Sequence, residues 1–265
     1  KLIFSKWQLA LGGELKLMVS GSAALQERLT RIFAAAGMPI MEGYGLTETS
    51  PVISVNDQND GNFRVGTVGK VIDDVEVKIA DNGEILVKGP NVMQGYYKDE
   101  EKTASVMKDG YFCTGDKGEF DKDGFLKITG RTKEMFKTSG GKYIVPPLLE
   151  GELKQSLFIE QVMVVGEGEK MPCAIIQPNF EFIKEWAEHK ELDVTDISSN
   201  QVVIDRIQEE VDECNKKFGK WEQIKKFELT PDEWTIDGGH LTPTMKMKRD
   251  VIKEIYKDLY KKLYS

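Results

Sequence analysis

The fold class this sequence predicts is an α/β unit that runs into β-rich chain and then into a smaller α+β body. Three observations predict it. The first forty residues read strand, helix, strand. From Gly66 to Thr129, apolar and polar residues alternate between glycine turns, the period of half-buried strands. Beyond Pro147, helical spacings and short apolar strands are intermixed. Residues 1–129 are therefore read as one domain, with a small β-barrel or twisted sheet over about 66–129, and residues 130–265 as a second.

The elements follow in order. Leu15-Lys-Leu-Met-Val19 predicts a strand, and Ser22 a helix N-cap. Leu25, Leu29, Ile32, Phe33 and Ala36 recur at helical spacing until Gly37, after which Pro39-Ile-Met41 resumes an extended chain. Glu42 to Pro51 reads as irregular and polar. Val75, Val77 and Ile79 alternate with charges. Asp81-Asn-Gly83 then turns the chain into Glu84-Ile-Leu-Val-Lys88, which predicts a hairpin. A short helix is expected near Glu100 to Met107, and a strand over Phe125 to Thr129. Pro146 and Pro147 suit a first helical turn, so a helix is expected up to about Leu157. Gln161–Val165 and Cys173–Gln177 predict strands, Phe180–His189 and Val202–Phe218 amphipathic helices, and Lys226–Leu229 another strand. One last helix is expected to carry Val251, Ile252, Ile255, Tyr256, Leu259 and Leu263 on one face.

Composition narrows the function classes. Net charge is −8 with acidic and basic residues interspersed, which argues against a nucleic acid or anionic membrane surface as partner. No apolar run is long enough to span a bilayer, and no signal peptide is visible. The three cysteines, Cys113, Cys173 and Cys214, are far apart and odd in number. They read as reduced thiols of a cytoplasmic protein, and two histidines exclude a histidine-rich metal centre. The lack of an initiator methionine suggests a chain that begins inside a longer protein.

Four stretches carry candidate chemistry. In Gly43-Tyr-Gly-Leu-Thr-Glu-Thr49, two glycines let the backbone bend near a flat ligand on which Tyr44 can stack. Thr47 can donate to an anionic oxygen, and Glu48 could hold Mg²⁺, which takes one or two carboxylates plus substrate phosphate oxygens. The same spacing also suits an ordinary strand-to-loop turn. In Gly110-Tyr-Phe-Cys-Thr-Gly-Asp116, the carboxylate could accept both hydroxyls of a ribose, although most Gly-Asp pairs are turns. Arg131 after Gly130 is well placed for ribose or phosphate, or is a surface arginine. Leu241-Thr-Pro-Thr-Met-Lys-Met-Lys-Arg249 makes a local positive patch, or a solvated helix start. Between them, Thr138-Ser-Gly-Gly141 follows the connector Gly130–Lys133, which reads as a hinge.

Taken in this order, the motifs resemble the adenylate-forming superfamily, and within it the long-chain fatty-acid–CoA ligases. Met18-Val-Ser-Gly-Ser-Ala-Ala24, Gly43 to Thr49, Gly124-Phe-Leu-Lys-Ile-Thr-Gly-Arg131, Thr138-Ser-Gly-Gly-Lys142 and Leu241-Thr-Pro-Thr-Met-Lys246 carry the match, which covers essentially the whole chain. The resemblance implies that residues 1–129 are the end of the large AMP-binding domain and 130–265 a mobile C-terminal domain with its hinge near Lys133. It implies Ser22, Ala23 and Ala24 along the adenine, Glu42 at its amino group, and Tyr44 on its ring. It further implies Thr47 on phosphate, Glu48 on Mg²⁺, Asp116 and Arg131 on ribose, Gly140 beside the pantetheine tunnel, and Lys246 as the catalytic lysine of adenylation. ATP, CoA and a fatty acid are the implied substrates, AMP and pyrophosphate the products, and the lipid substrate could bring peripheral membrane contact.

One feature departs from the family. A Ser/Thr/Gly-rich loop with its lysine, which grips the ATP β- and γ-phosphates, does not occur in this sequence, and neither does the upstream part that holds the acyl tunnel. The expectation is a C-terminal portion that cannot catalyse adenylation alone. Another acyl or aryl ligase of the superfamily, or a non-catalytic nucleotide-binding module, are the alternatives.

Overall fold

The computed structural model describes residues 2–59, 61–132 and 134–265. The chain divides into two compact units, Lys1–Lys133 and Glu134–Ser265. The expected hinge residue, Lys133, lies outside the described residues.

Unit 1 opens on a helix that the periodicity did not announce, α1 (Leu2–Ala10). It rests on the next helix through Trp7 against Phe33, with ring centroids 5.9 Å apart, and through Gln8 Nε2, which donates to the Ala36 carbonyl at 2.7 Å. Strand β1 (Met18–Ser20) is shorter than expected. Helix α2 (Glu27–Ala35) begins at Gln26, not at Ser22. Ser22 is left-handed, with φ 70°, which is not the extended backbone an N-cap typically takes. The Leu25 N–H donates to Glu42 Oε1 at 3.1 Å.

Strand β2 (Ile40–Gly45) runs further than Met41, so part of the stretch expected to be irregular is sheet. A single 3₁₀ turn, Thr47–Thr49, leads to β3 (Val52–Val55) and β4 (Lys70–Val71). These make a sheet in the order β1-β2-β3-β4, with β1 and β2 parallel and the remaining pairs antiparallel. The reversal between β2 and β3 is tight. A Cβ on Gly45 would sit 1.7 Å from the Pro51 carbonyl oxygen, so no side chain fits there.

A second sheet follows from β5 (Glu76–Ile79), β6 (Glu84–Lys88), β7 (Met107–Lys108), β8 (Tyr111–Phe120) and β9 (Leu126–Arg131), with α3 (Glu100–Val106) before β7. The Asp81-Asn-Gly83 hairpin forms as expected, with Ile79 opposite Ile85. The long strand β8 is the branch point. One edge pairs β6, while β7 and β9 share the other edge in succession. The two sheets are joined where the Val68 N–H donates to the Leu126 carbonyl and the Leu126 N–H to the Gly69 carbonyl, at 2.9 and 2.8 Å. Their common core holds Ile53, Ile85, Val87 and Leu126, each fully buried.

Unit 2 begins with a hairpin, β10 (Phe136–Lys137) and β11 (Tyr143–Ile144). Helix α4 (Pro146–Leu153) starts on the two prolines, whose fixed φ and missing N–H suit a first turn. Strands β12 (Ile159–Val165) and β13 (Cys173–Pro178) are antiparallel neighbours. Helix α5 (Phe180–His189) is capped by Asn179 and α6 (Gln201–Asn215) by Asn200, each side chain accepting backbone N–H groups of the first turn. Strand β14 (Phe227–Leu229) joins β13 in parallel.

Every residue of β13 is buried. The period of two then divides the sheet's side chains between two cores. Val162, Val164, Ala174 and Ile176 face a cluster with residues of α4, α5 and α6. Met163, Val165, Cys173 and Ile175 face a cluster with Trp234, Ile252, Tyr256 and Leu263. The single terminal helix expected from the spacing is two, α7 (Arg249–Ile255) and α8 (Lys257–Tyr264). Tyr256 leaves helical geometry between them, with φ −101° and ψ 31°, yet the apolar face continues because Ile252, Tyr256 and Leu263 stay buried together.

Candidate nucleotide half-site and lysine loop

Asp116 is the centre of unit 1's polar structure. It is 4% exposed, on the core face of β8, directly opposite Arg131 of β9. That register sets the two side chains across from each other on one face, where opposite charges attract. Arg131 Nε donates to Oδ1 at 2.6 Å and Nη2 to Oδ2 at 3.4 Å. Tyr44, brought in by β2, donates its hydroxyl to Oδ2 at 2.8 Å. The phenol is pushed above its usual range, first by burial and then by the Asp116 charge, so it stays protonated and donating. A carboxylate offers about four lone pairs, and these contacts leave room for a further hydroxyl. Two residues that sequence reasoning missed support the turn. Thr114 Oγ1 accepts the Asp116 N–H at 3.1 Å, and Glu84 Oε1 accepts the Gly115 N–H at 3.0 Å. Their signal was weak, since both read as ordinary strand positions.

Glu42 is also buried, with its carboxyl against the loop after β1. Burial raises its pKa, the Leu25 N–H opposes that, and the Glu27 charge adds to it. The Ser22, Ala23 and Ala24 loop is exposed and runs beside β2, where a Cβ on Gly21 would lie 3.5 Å from the Gly43 carbonyl oxygen. Thr47 is exposed on the 3₁₀ turn and Glu48 is half-buried there. Glu48 Oε1 accepts the Tyr96 hydroxyl at 2.9 Å, a partner not foreseen. Among the described residues, its other oxygen takes no hydrogen bond. Among the described residues, no group of three or more metal-ligating side chains occurs. A lone carboxylate fits Mg²⁺ that keeps phosphate oxygens in its shell, and does not fit an all-protein cage. Ser22, Ala23, Ala24, Glu42, Tyr44, Thr47, Glu48, Asp116 and Arg131 all belong to unit 1.

The other two candidates belong to unit 2. Gly140 is at the tip of the β10–β11 hairpin, closed by the Thr138 N–H to the Lys142 carbonyl at 2.9 Å. The nearest atom to a Cβ placed on Gly140 is Thr138 Oγ1 at 3.9 Å, so the fold itself does not demand glycine there. Lys246 is exposed on a loop closed by a bridge between Leu241 and Met247. Within the loop, the Thr242 N–H donates to the Lys246 carbonyl at 2.8 Å, and Thr242 Oγ1 accepts the Lys246 N–H at 3.0 Å. Met245 is left-handed, with φ 61°. Next to the loop, Arg249 forks onto Glu150 at 2.8 and 2.6 Å, and Glu150 also accepts the Val164 N–H at 2.8 Å.

Residues 4–97 match the family model for an AMP-binding enzyme, and residues 134–265 match that for the AMP-binding enzyme C-terminal domain. The chain belongs to the AMP-binding enzyme family. The chain is 39% identical to a long-chain-fatty-acid–CoA ligase of Mycobacterium bovis, over all of its own length and 44% of that relative's. It is 37% identical to the human long-chain-fatty-acid–CoA ligase 1, over all of its length and 40% of that relative's. It thus spans less than half the length of the curated relatives it matches. Among solved structures, the A domain of carboxylic acid reductase from Segniliparus rugosus, in complex with AMP and a co-purified carboxylic acid, superposes with TM-score 0.76. That match is at 21% identity, over 98% of this chain and 41% of that one, and speaks to fold alone. Apo MatB from Rhodopseudomonas palustris gives 0.62 at 27% identity, over 92% of this chain and 46% of that one. The adenylate-forming fold expected from the motifs is therefore the fold observed.

Proposed function

We propose that this chain is the C-terminal portion of an AMP-forming long-chain fatty-acid–CoA ligase, with a mobile C-terminal domain hinged near Lys133. One observation carries the reading. A buried carboxylate, Asp116, is held by Arg131 at 2.6 Å and Tyr44 at 2.8 Å beside a glycine-bounded strand end. An ion pair made merely for stability needs neither the tyrosine nor the half-exposed arginine head, whose side chain is 48% exposed. A ribose diol needs a fixed acceptor with a lone pair to spare, which this is.

Asp116 and Arg131 hold the ribose. The Ser22–Ala24 loop, Glu42 and Tyr44 line the adenine, and Thr47 meets a phosphate oxygen. Glu48 would hold Mg²⁺ shared with the phosphates; when bound, the ion neutralises charge on the phosphate oxygens. In the first step a fatty carboxylate oxygen bonds to the α-phosphorus and pyrophosphate leaves. Lys246, a flexible point charge, stabilises the negative charge that builds on those oxygens. In the second step the CoA sulfur, having lost its proton, attacks the acyl carbonyl, and the bond to AMP breaks. Gly140 leaves a side-chain-free passage for the pantetheine arm. The two loops of unit 2 thus serve different steps, and a domain rotation alternates them. Cytoplasmic placement and contact with a membrane through the lipid substrate belong to the same proposal.

The test is calorimetric titration of the chain with AMP. Binding that weakens about tenfold or more on Asp116→Ala and is kept on Lys246→Ala supports the assignment. Binding that ignores Asp116→Ala overturns it.

A further inference from the structure

We propose that His240, held in a single tautomer by Asp232 and Tyr256, is the positioning residue of the Lys246 loop. The proposal rests on the reading of Lys246 as the adenylating lysine.

His240 is 5% exposed and closes the foot of the loop, where its carbonyl accepts the Lys248 N–H at 2.9 Å. Both ring nitrogens are engaged. The Thr235 N–H points at Nδ1 at 3.3 Å. A backbone N–H can only donate, so Nδ1 carries no proton, and in the neutral ring the hydrogen is on Nε2. Nε2 lies 3.3 Å from the Tyr256 hydroxyl oxygen, and that hydroxyl donates to Asp232 Oδ2 at 3.1 Å. The direction of the chain is then set throughout: Nε2–H to Tyr256 Oη, and Tyr256 O–H to the Asp232 carboxylate.

Packing fixes the ring as firmly as hydrogen bonding does. The imidazole stacks on Tyr256 with centroids 5.8 Å apart, and Tyr256 stacks on Trp234 at 6.2 Å. A Cβ on Gly238 would fall 2.7 Å from His240 Nδ1, so the turn that presents the Thr235 N–H fits against the ring with no space to spare. Thr235 also ties the turn shut, because its carbonyl accepts the N–H groups of His240 and Leu241 at 3.1 and 3.2 Å. The loop departs from this anchor. Its first residue, Leu241, is 1% exposed, while Lys246 five positions on is exposed. An exposed lysine has several rotamers and gains aim only from the backbone beneath it. The relay supplies that aim from the α7–α8 junction, where Tyr256 leaves helical geometry.

A histidine that merely fills the core would, on substitution, lower the stability of unit 2 as a whole. A positioning histidine loosens the loop first. The experiment is amide hydrogen exchange at Thr242 and Lys246 in the 265-residue chain, paired with ¹⁵N side-chain NMR of its two histidines. Tyr256→Phe keeps the stacking and removes the link to Asp232, and is the principal variant. His240→Gln retains an amide donor near Nε2, and His240→Leu retains none. Expected are an unprotonated Nδ1 and a protonated Nε2 in the parent. Exchange at the loop amides should become about tenfold faster in Tyr256→Phe and His240→Leu, the worth of one net hydrogen bond, with partial recovery in His240→Gln. Exchange in β13 should stay unchanged. A hydrogen on Nδ1, or loop exchange within twofold of the parent in Tyr256→Phe, overturns the proposal. Neither readout needs catalysis, so the result stands apart from the Lys246→Ala assay that tests the lysine's role.

Discussion

Asp116 and Lys246 sit in opposite surroundings. Asp116 is buried, and both of its oxygens are bonded by the protein. Lys246 is exposed, and among the described residues it is the loop backbone, not its ammonium, that the hydrogen bonds hold. The contrast teaches how the proposed labour is divided. A group that recognises a ligand gains from being fixed beforehand, because it costs no ordering on binding. A charge that must reach a developing transition state gains from a long, hydrated stem on a firmly rooted loop.

The largest effect should come from the exposed partner. On the proposed function, Lys246→Ala should slow fatty acid-dependent pyrophosphate release by the full-length protein about 10²–10³-fold, the usual cost of losing one transition-state donor. AMP affinity should hold. Loss of both together would erase the division of labour. Next comes Asp116→Ala, which should weaken AMP binding roughly tenfold to a hundredfold, since it removes a charge-assisted acceptor and the partner of the Tyr44 hydroxyl. It should also lower the melting temperature of unit 1, which Lys246→Ala in unit 2 should not touch.

Gly140→Ala sharpens the comparison between the two loops of unit 2. Space for the methyl exists within the unit, so stability should not change. Thioester formation should slow by about tenfold, less than the hundredfold that about 1 Å of misplacement can bring. Single-turnover kinetics with preformed acyl-adenylate would isolate that step; slowed adenylation instead would contradict the assignment. The smallest effect is a pH dependence in unit 1. Burial holds the Glu42 carboxyl above its usual value of 4.5. In the window just above that value, the folded state binds more protons than the unfolded one, so this group's contribution to stability falls as pH rises. Glu42→Gln keeps an acceptor for the Leu25 N–H and should remove that slope. An identical slope in parent and variant would assign it elsewhere.

Much of this was legible before any coordinates. The Asp81-Asn-Gly83 hairpin, the proline start of α4 and helix α5 are local, written in turn chemistry and periodicity over neighbouring residues. What failed was also instructive. Ser22 carries a good capping side chain, yet the backbone N–H of Leu25 goes to Glu42, twenty positions beyond Ser22, and the helix starts only at Glu27. The terminal apolar face predicted one helix, and the Tyr256–Asp232 bond accompanies its division into two.

The sequence by itself determined many of the element types, the ordered motifs and, through them, the family and the candidate residues. It did so because those signals are local or are carried by residue identity. The tertiary structure alone decided that Tyr44, Asp116 and Arg131 converge, that Tyr96 meets Glu48, and that the His240 carbonyl takes the Lys248 N–H at the foot of the Lys246 loop. These depend on strand register and on contacts between residues up to 72 positions apart. A hydrogen bond is indifferent to sequence distance, and the backbone path that brings its partners together is set by the burial of the whole core.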